Sequence, residues 1–203
     1  RDKIVLAFDR KDVTAVEVVT REETLALEPA GDKWKVTRPL ALAADAETVT
    51  DFLDKLAGAK VKEFVAEAPR SLASFGLERP VRLAIHTGRD KERATKSLWL
   101  GRVDGDKKGV YAMRPGETSV LLLPEEVWNA LPKTVGAVRN KALVEFERDK
   151  VTRVDLSSPK GSVSLVREDN RWRITAPEPL SADQVEAGAV LAKLRELRAQ
   201  AFL

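Results

Sequence analysis

Asp45 and Asp183 stand at corresponding places in two similar stretches of the chain. Paired carboxylates can run general acid–base hydrolysis when their surroundings drive their pKa values apart. Each also stands just before an apolar stripe of helical period. An aspartate there caps a helix by accepting from a backbone N–H two or three residues on, and the cap is the reading taken. Glu22-Glu23 and Glu125-Glu126 lie beside turns or in first helical turns, where negative charge is favourable. Asp104-Gly105-Asp106-Lys107-Lys108-Gly109 has the start of a calcium loop. Lys108 then occupies the fifth position and Pro115 the twelfth, where oxygen ligands are needed. No Gly-Lys-Ser/Thr follows, so the segment fails as a phosphate loop too and reads as a hairpin turn. His86, the only histidine, falls within the strand pattern Val81–Thr87. One imidazole makes no histidine metal site, and no serine can be assigned to it as a triad partner. The chain has no cysteine, which excludes disulfides, thiolate nucleophiles and cysteine-held zinc or iron–sulfur sites. Neither a catalytic set nor a cofactor or metal is expected.

Four tryptophans supply the remaining candidates. Trp34 and Trp172 hold matched places in two strands and read as core. Trp99, between Leu98 and Leu100 on a strand, and Trp128, on a short helix, are the two candidates for contact with a partner or ligand. Lys193, Arg195 and Arg198 gather at the end of a helix over Asp183–Arg198, where cations suit the helix dipole. Membrane-surface contact is the sharper alternative for them.

These residues need a scaffold, and the composition supplies one. Of 203 residues, 43% are hydrophobic and 33% charged, a mixture that buries a core. The net charge of +3 hides a near balance of signs along the chain. That balance excludes the concentrated positive field that a nucleic acid requires. Even the basic stretch Arg89 to Lys96 contains Asp90 and Glu92 and reads as a solvated turn. The longest apolar runs, Ile4–Phe8 and Val120–Leu123, are strand-sized and far short of the roughly 20 residues that span a bilayer. The chain opens at Arg1 without methionine, which suggests a fragment or processed product from which a signal or anchor could have been removed.

Residues 3–65 laid on 141–203 match without a gap. Phe8 meets Phe146, Val16 meets Val154, Leu27 meets Leu165 and Trp34 meets Trp172. Pro39 meets Pro177, Asp45 meets Asp183 and Leu56 meets Leu194. Such self-similarity indicates duplication. Each copy predicts three strands in a meander: a β-branched run at Val13–Val18, then Thr24–Glu28 and Trp34–Thr37, with Ser162–Arg167 and Trp172–Thr175 in the second copy. A helix follows. Val49, Phe52, Leu53 and Leu56 are spaced i, i+3, i+4, i+7, and their counterparts are Ala187, Val190, Leu191 and Leu194. A short strand, Val61–Val65 or Arg198–Leu203, closes each unit. The middle section, 66–140, predicts four strands at Val81–Thr87, Ser97–Gly101, Gly109–Arg114 and Ser119–Leu123, then a short helix opened by Pro124. The expected fold is α+β: a duplicated βββαβ unit with antiparallel sheets, each covered on one face by a helix, the first copy extended by the four-stranded middle section. Residues 1–140 would form one domain and 141–203 a smaller, truncated one.

Several short motifs carry a resemblance. They are Asp12-Val13-Thr14-Ala15-Val16-Glu17-Val18 after Phe8, Trp34-Lys35-Val36 before Pro39, and Ala44-Asp45 at the helix start. Phe75-Gly76-Leu77 before Pro80 and Leu100-Gly101 before Val110-Tyr111-Ala112 complete them. In order and spacing the chain resembles the bacterial domain-of-unknown-function family DUF4340, found beside ABC-transporter components of the gliding-motility type. The resemblance implies an extracytoplasmic, periplasmic body held by one amino-terminal inner-membrane anchor, and a transport-associated accessory role. The anchor itself is absent from this chain. The resemblance brings no catalytic residues.

The function expected first is therefore a non-catalytic interaction or accessory module of an envelope complex. Its partner would be an ABC-transporter permease or accessory subunit. A glycan- or anion-binding module is the alternative, motivated by the basic middle section and its tryptophans. A carboxylate-dependent hydrolase working in a groove comes last.

Overall fold

A computed structural model describes residues 2–89 and 92–200. The chain divides into two compact units, 1–140 and 141–203. Both are mixtures of antiparallel sheet and a few helices, as the α+β expectation requires.

The first unit opens with a meander: β1 (Val13–Val19), β2 (Thr24–Ala30), β3 (Lys33–Arg38) and the short β4 (Leu42–Ala44). Helix α1 (Ala46–Gly58) follows, then β5 (Glu63–Glu67), β6 (Val81–Thr87), β7 (Ala94–Asp104), β8 (Gly109–Met113) and β9 (Ser119–Pro124). Two short helices, α2 (Glu125–Ala130) and α3 (Val135–Val138), end the unit. All nine strands form one sheet in the order β4-β3-β2-β1-β6-β7-β8-β9-β5. β1 is the seam: it pairs with β2 through Val16↔Leu27 and with β6 through Val16↔Ile85 and Val18↔Leu83. The middle section thus extends the first meander's sheet.

Two features depart from the expected βββαβ order. A fourth strand, β4, stands between the meander and the helix. Its open side is closed by residues 138–140, with Asp45 N–H donating 2.7 Å to the Val138 carbonyl and Asn140 N–H 3.1 Å to that of Ala43. The closing strand β5 also does not return to its own meander. It pairs with β9 at the other end of the sheet, Phe64↔Leu121. Among the described residues the strand-sized apolar run Ile4–Phe8 joins no strand ladder and forms a bridge, Ile4↔Lys60. Val5 and Leu6 are nonetheless buried, so burial rather than a ladder explains their apolarity.

Local chemistry accounts for α1. The Asp45 carboxylate accepts from Thr48 N–H at 3.0 Å, which supplies one partner for the four unpaired N–H groups of the first turn. Val49, Phe52, Leu53 and Leu56 form the buried stripe. They pack on Val16, Val18, Leu25, Leu27, Leu83, Ile85, Leu98 and Leu100 in one aliphatic core. Full burial of each contributes roughly 1.5–3 kcal/mol. Replacing Asp45 by alanine should cost about 1 kcal/mol, read as a lower urea midpoint at unchanged m-value. A smaller second core covers the opposite face of the β8-β9 half, where Leu72, Phe75 and Leu77 pack on Tyr111, Met113, Val120 and Leu122.

In the second unit the strands are β10 (Arg153–Ser158), β11 (Gly161–Glu168), β12 (Arg171–Ala176) and the two-residue β13 (Leu180–Ser181). They form an antiparallel sheet in chain order. Helix α4 (Gln184–Glu196) covers one face, where Ala187 and Leu191 meet Leu165 and Trp172. Asp183 caps it, accepting from Val185 N–H at 2.8 Å and Glu186 N–H at 3.1 Å. Of the expected last strand, Arg198 bridges Ala142, and residues 201–203 lie outside the described residues.

Candidate functional site

Two hollows open on the first unit. The wider has a volume of about 1260 Å³. It lies along the start of β1, the β2–β3 turn and the facing ends of β6 and β7. Arg10, Lys11, Lys33, Arg89 and Arg93 reach it, but so do Asp12, Glu28, Asp32 and Glu92. Arg10 is further tied to Asp54 at 2.9 Å and Lys35 to Glu28 at 3.3 Å. The groove is electrically mixed and selects no charge.

The narrower hollow has about 460 Å³ and a different character. Four separate segments surround it: the Thr20–Glu22 turn, Gly76 with Arg79–Val81, Leu100–Arg102 on β7, and Trp128 with Lys133-Thr134. They bring four cations, Arg21, Arg79, Arg102 and Lys133, against one acid, Glu22. Among the described residues none of the four enters an ion pair.

Each wall has a local cause. Gly76 takes a left-handed φ of +69° at the end of a 3₁₀ turn, a conformation glycine adopts without strain. Gly101 packs under that turn, and a Cβ there would run into the Phe75 carbonyl oxygen. The Phe75-Gly76-Leu77 and Leu100-Gly101 motifs are thus two halves of one backbone contact. Arg102 follows directly. Its Nε donates to the Ser74 carbonyl and its guanidinium lies 5.2 Å from the Tyr111 ring centroid. Lys133 is half-buried. Its Nζ sits 4.4 Å over the Trp128 ring and donates to the carbonyls of Trp128 at 2.6 Å and Leu131 at 3.2 Å. Burial pushes its pKa below the usual lysine value.

Against this geometry, the family model described as "Domain of unknown function (DUF4340)" matches residues 34–203. The chain belongs to the DUF4340 family. No curated protein and no solved structure matches it significantly.

In this DUF4340 member the sequence candidates separate widely. Trp128 borders the cationic hollow, as described. Trp99 lies elsewhere, half-buried against the second core, with the Arg82 guanidinium 5.9 Å over its ring. Trp34, read as core, is half-buried at the core's margin and also lines the wider groove. Trp172 is buried, and its backbone N–H and carbonyl are clamped by the Gln184 amide at 2.8 and 2.9 Å. His86 Nδ1 lies 3.0 Å from Thr95 Oγ1 across β6 and β7. Asp45 and Asp183 act as caps in separate units. Glu23 accepts from Val135 N–H at 3.0 Å. Arg198 donates to the carbonyls of Arg195 and Leu197, in keeping with its place at the end of α4.

Asp104 belongs to a hairpin turn and is held by Tyr111 O–H at 2.6 Å and Lys107 N–H at 3.1 Å. Those hydrogen bonds, led by Tyr111, hold its carboxyl below the usual range, and the same bond raises the Tyr111 phenol. The Asp155 carboxyl is likewise lowered, first by Arg153 and then by Ser164. A general acid at neutral pH needs the opposite shift. Among the described residues, no three Asp, Glu, His or Cys side chains gather into a metal-holding group.

The Asp104–Tyr111 bond has a defined pH signature. A depressed carboxyl pKa stabilises the fold above the unfolded value of about 3.9 and loses that contribution as pH falls through the folded value. A raised phenol pKa stabilises below about 10 and loses it as pH rises further. Tyr111→Phe should lower the melting temperature between these limits, and the deficit should shrink below pH 4. Melts of both proteins across that range check it.

Arg21, Arg79, Arg102 and Lys133 escaped the sequence reading because long chain segments separate them. The available signal was indirect: Gly76, Pro80, Leu100 and Gly101, all from the resemblance motifs, line the same hollow.

Proposed function

We propose that this DUF4340 chain is a non-catalytic interaction module of the bacterial envelope, working beside an ABC-transporter-type complex. On this reading the second unit is a second copy of the β1–α1 stretch. Its body lies outside the cytoplasm and is tethered by an anchor not contained in these residues. Among the described residues no helix is long and apolar enough to cross a membrane.

One observation carries the interaction reading. In the first unit β1 is paired on both sides, by β2 and β6. Among the described residues of the second unit, the matching strand β10 pairs only with β11 and forms the edge of its sheet. Val18 and Leu25 are fully buried, whereas their counterparts Leu156 and Val163 are 39% and 37% exposed. An aliphatic patch beside an edge of unpaired N–H and C=O groups is suited to addition of a strand from a partner.

A photo-crosslinking residue at position 156 of the natural gene product, in membranes of its own host, tests this. The expected product joins the chain to a permease or accessory subunit of an ABC complex, and Leu156→Lys at the edge abolishes its co-purification. A purified chain with an enzymatic activity of its own and no transporter subunit attached would overturn the reading. A reporter active only outside the cytoplasm, fused after residue 203, tests the topology.

A further inference from the structure

We propose that the hollow beside Trp128 binds a small amphiphilic oxyanion, a carboxylate or phosphate monoester carrying a short apolar group. The charge argument comes first. Four cations and one carboxylate, Glu22, line a concave site of about 460 Å³, and of the four only Arg102 also feels a neighbouring carboxylate, Asp104. Concentrating like charge in a hollow raises the field there and attracts counter-ions. Arg21 and Arg79 form no ion pair and no hydrogen bond among the described residues, so their guanidinium forks remain open to a planar oxyanion. Lys133 has three N–H donors, and two go to the Trp128 and Leu131 carbonyls. Its depressed pKa reflects burial alone. A bound anion would relieve that cost.

The second half of the argument is the floor. Half-buried Pro80, Val81 and Trp128 supply apolar surface beside the cations. An inorganic ion would leave that surface wet, whereas a short alkyl group would cover it. A stacked neutral sugar is disfavoured, because one face of the Trp128 ring is already occupied by Lys133. The indole instead holds the ammonium in the hollow through a cation–π contact.

The test is a titration of the ¹⁵N-labelled chain, followed at the Gly101 amide and the Trp128 indole N–H. Hexyl phosphate and hexanoate are the two anionic probes. Hexanol carries the tail alone and inorganic phosphate the head alone. Saturable shifts at both signals with either anionic probe support the proposal, and the better probe names the head group. Arg21→Glu and Arg79→Glu replace exposed side chains without protein partners, and each should weaken binding about tenfold or more. Added salt should weaken it too. Lys11→Glu, in the wider groove, should leave it unchanged. The proposal fails if neither anion moves these signals. It fails equally if hexanol or inorganic phosphate binds as well as hexyl phosphate, or if both arginine variants bind like the parent.

Discussion

Phe52→Ala should destabilise the first unit by about 3–5 kcal/mol, the largest loss expected from any single truncation in α1. Phe52 is the largest of the fully buried side chains and 0% exposed. It sits mid-stripe between Val49 and Leu56, in a core that joins α1 to the sheet from β1 through β9. Removing the ring loses its transfer free energy and leaves a cavity whose walls are strands fixed by two-sided pairing, so little collapse can offset the loss. A domain is stable by only about 5–15 kcal/mol, so the change is a large fraction of the whole. Urea unfolding followed through the indole signals of Trp34, Trp99 and Trp128 should show a much lower midpoint. A loss under about 1 kcal/mol would mean that α1 does not hold this core together.

Gly101→Ala is the second large effect, from a single added methyl. The Cβ would strike the Phe75 carbonyl oxygen and approach the Gly76 carbonyl carbon and Leu77 Cγ at 3.1 Å. Two of these neighbours are backbone, so the 3₁₀ turn must lift off β7, at a cost of about 2–4 kcal/mol. The lift would also spread the hollow beside Trp128, so anion binding should fall with stability. Gly58 is the internal comparison. Nothing lies within 4 Å of a Cβ there, and it ends α1 without a left-handed φ. Gly58→Ala should therefore stabilise by about 0.5–1 kcal/mol, through helix propensity and a less disordered unfolded chain. Thermal melts of the two variants should move in opposite directions. A neutral Gly101→Ala would show that the turn does not rest on the strand.

The predicted elements divide by range of interaction. Asp45 and Asp183 were readable as caps because a cap is decided within three residues of chain. The α1 stripe was readable because helical period and burial coincide at Val49, Phe52, Leu53 and Leu56. The four middle strands were readable from turn residues at their ends, although β7 runs from Ala94 to Asp104, well beyond the predicted Ser97–Gly101. The strands β4 and β13, three and two residues long, were too short to show a period. Ile4–Phe8 has the length of a strand, yet it joins no ladder among the described residues, and within it Val5 and Leu6 are buried while Ile4 is exposed.

By itself the sequence determined that the chain folds as antiparallel sheet under helices, where α1 and α4 begin and which face of α1 is buried; of the stripe expected on α4, Ala187 and Leu191 are buried while Val190 and Leu194 are only partly so. Those properties follow from patterns a few residues long. Only the tertiary structure decided that β5 crosses to pair with β9, that β1 is paired on both sides while β10 is left as an edge, and that Arg21, Arg79, Arg102 and Lys133 share one hollow. These depend on strand order and register, which are settled by contacts between segments dozens of residues apart, and no local pattern encodes them.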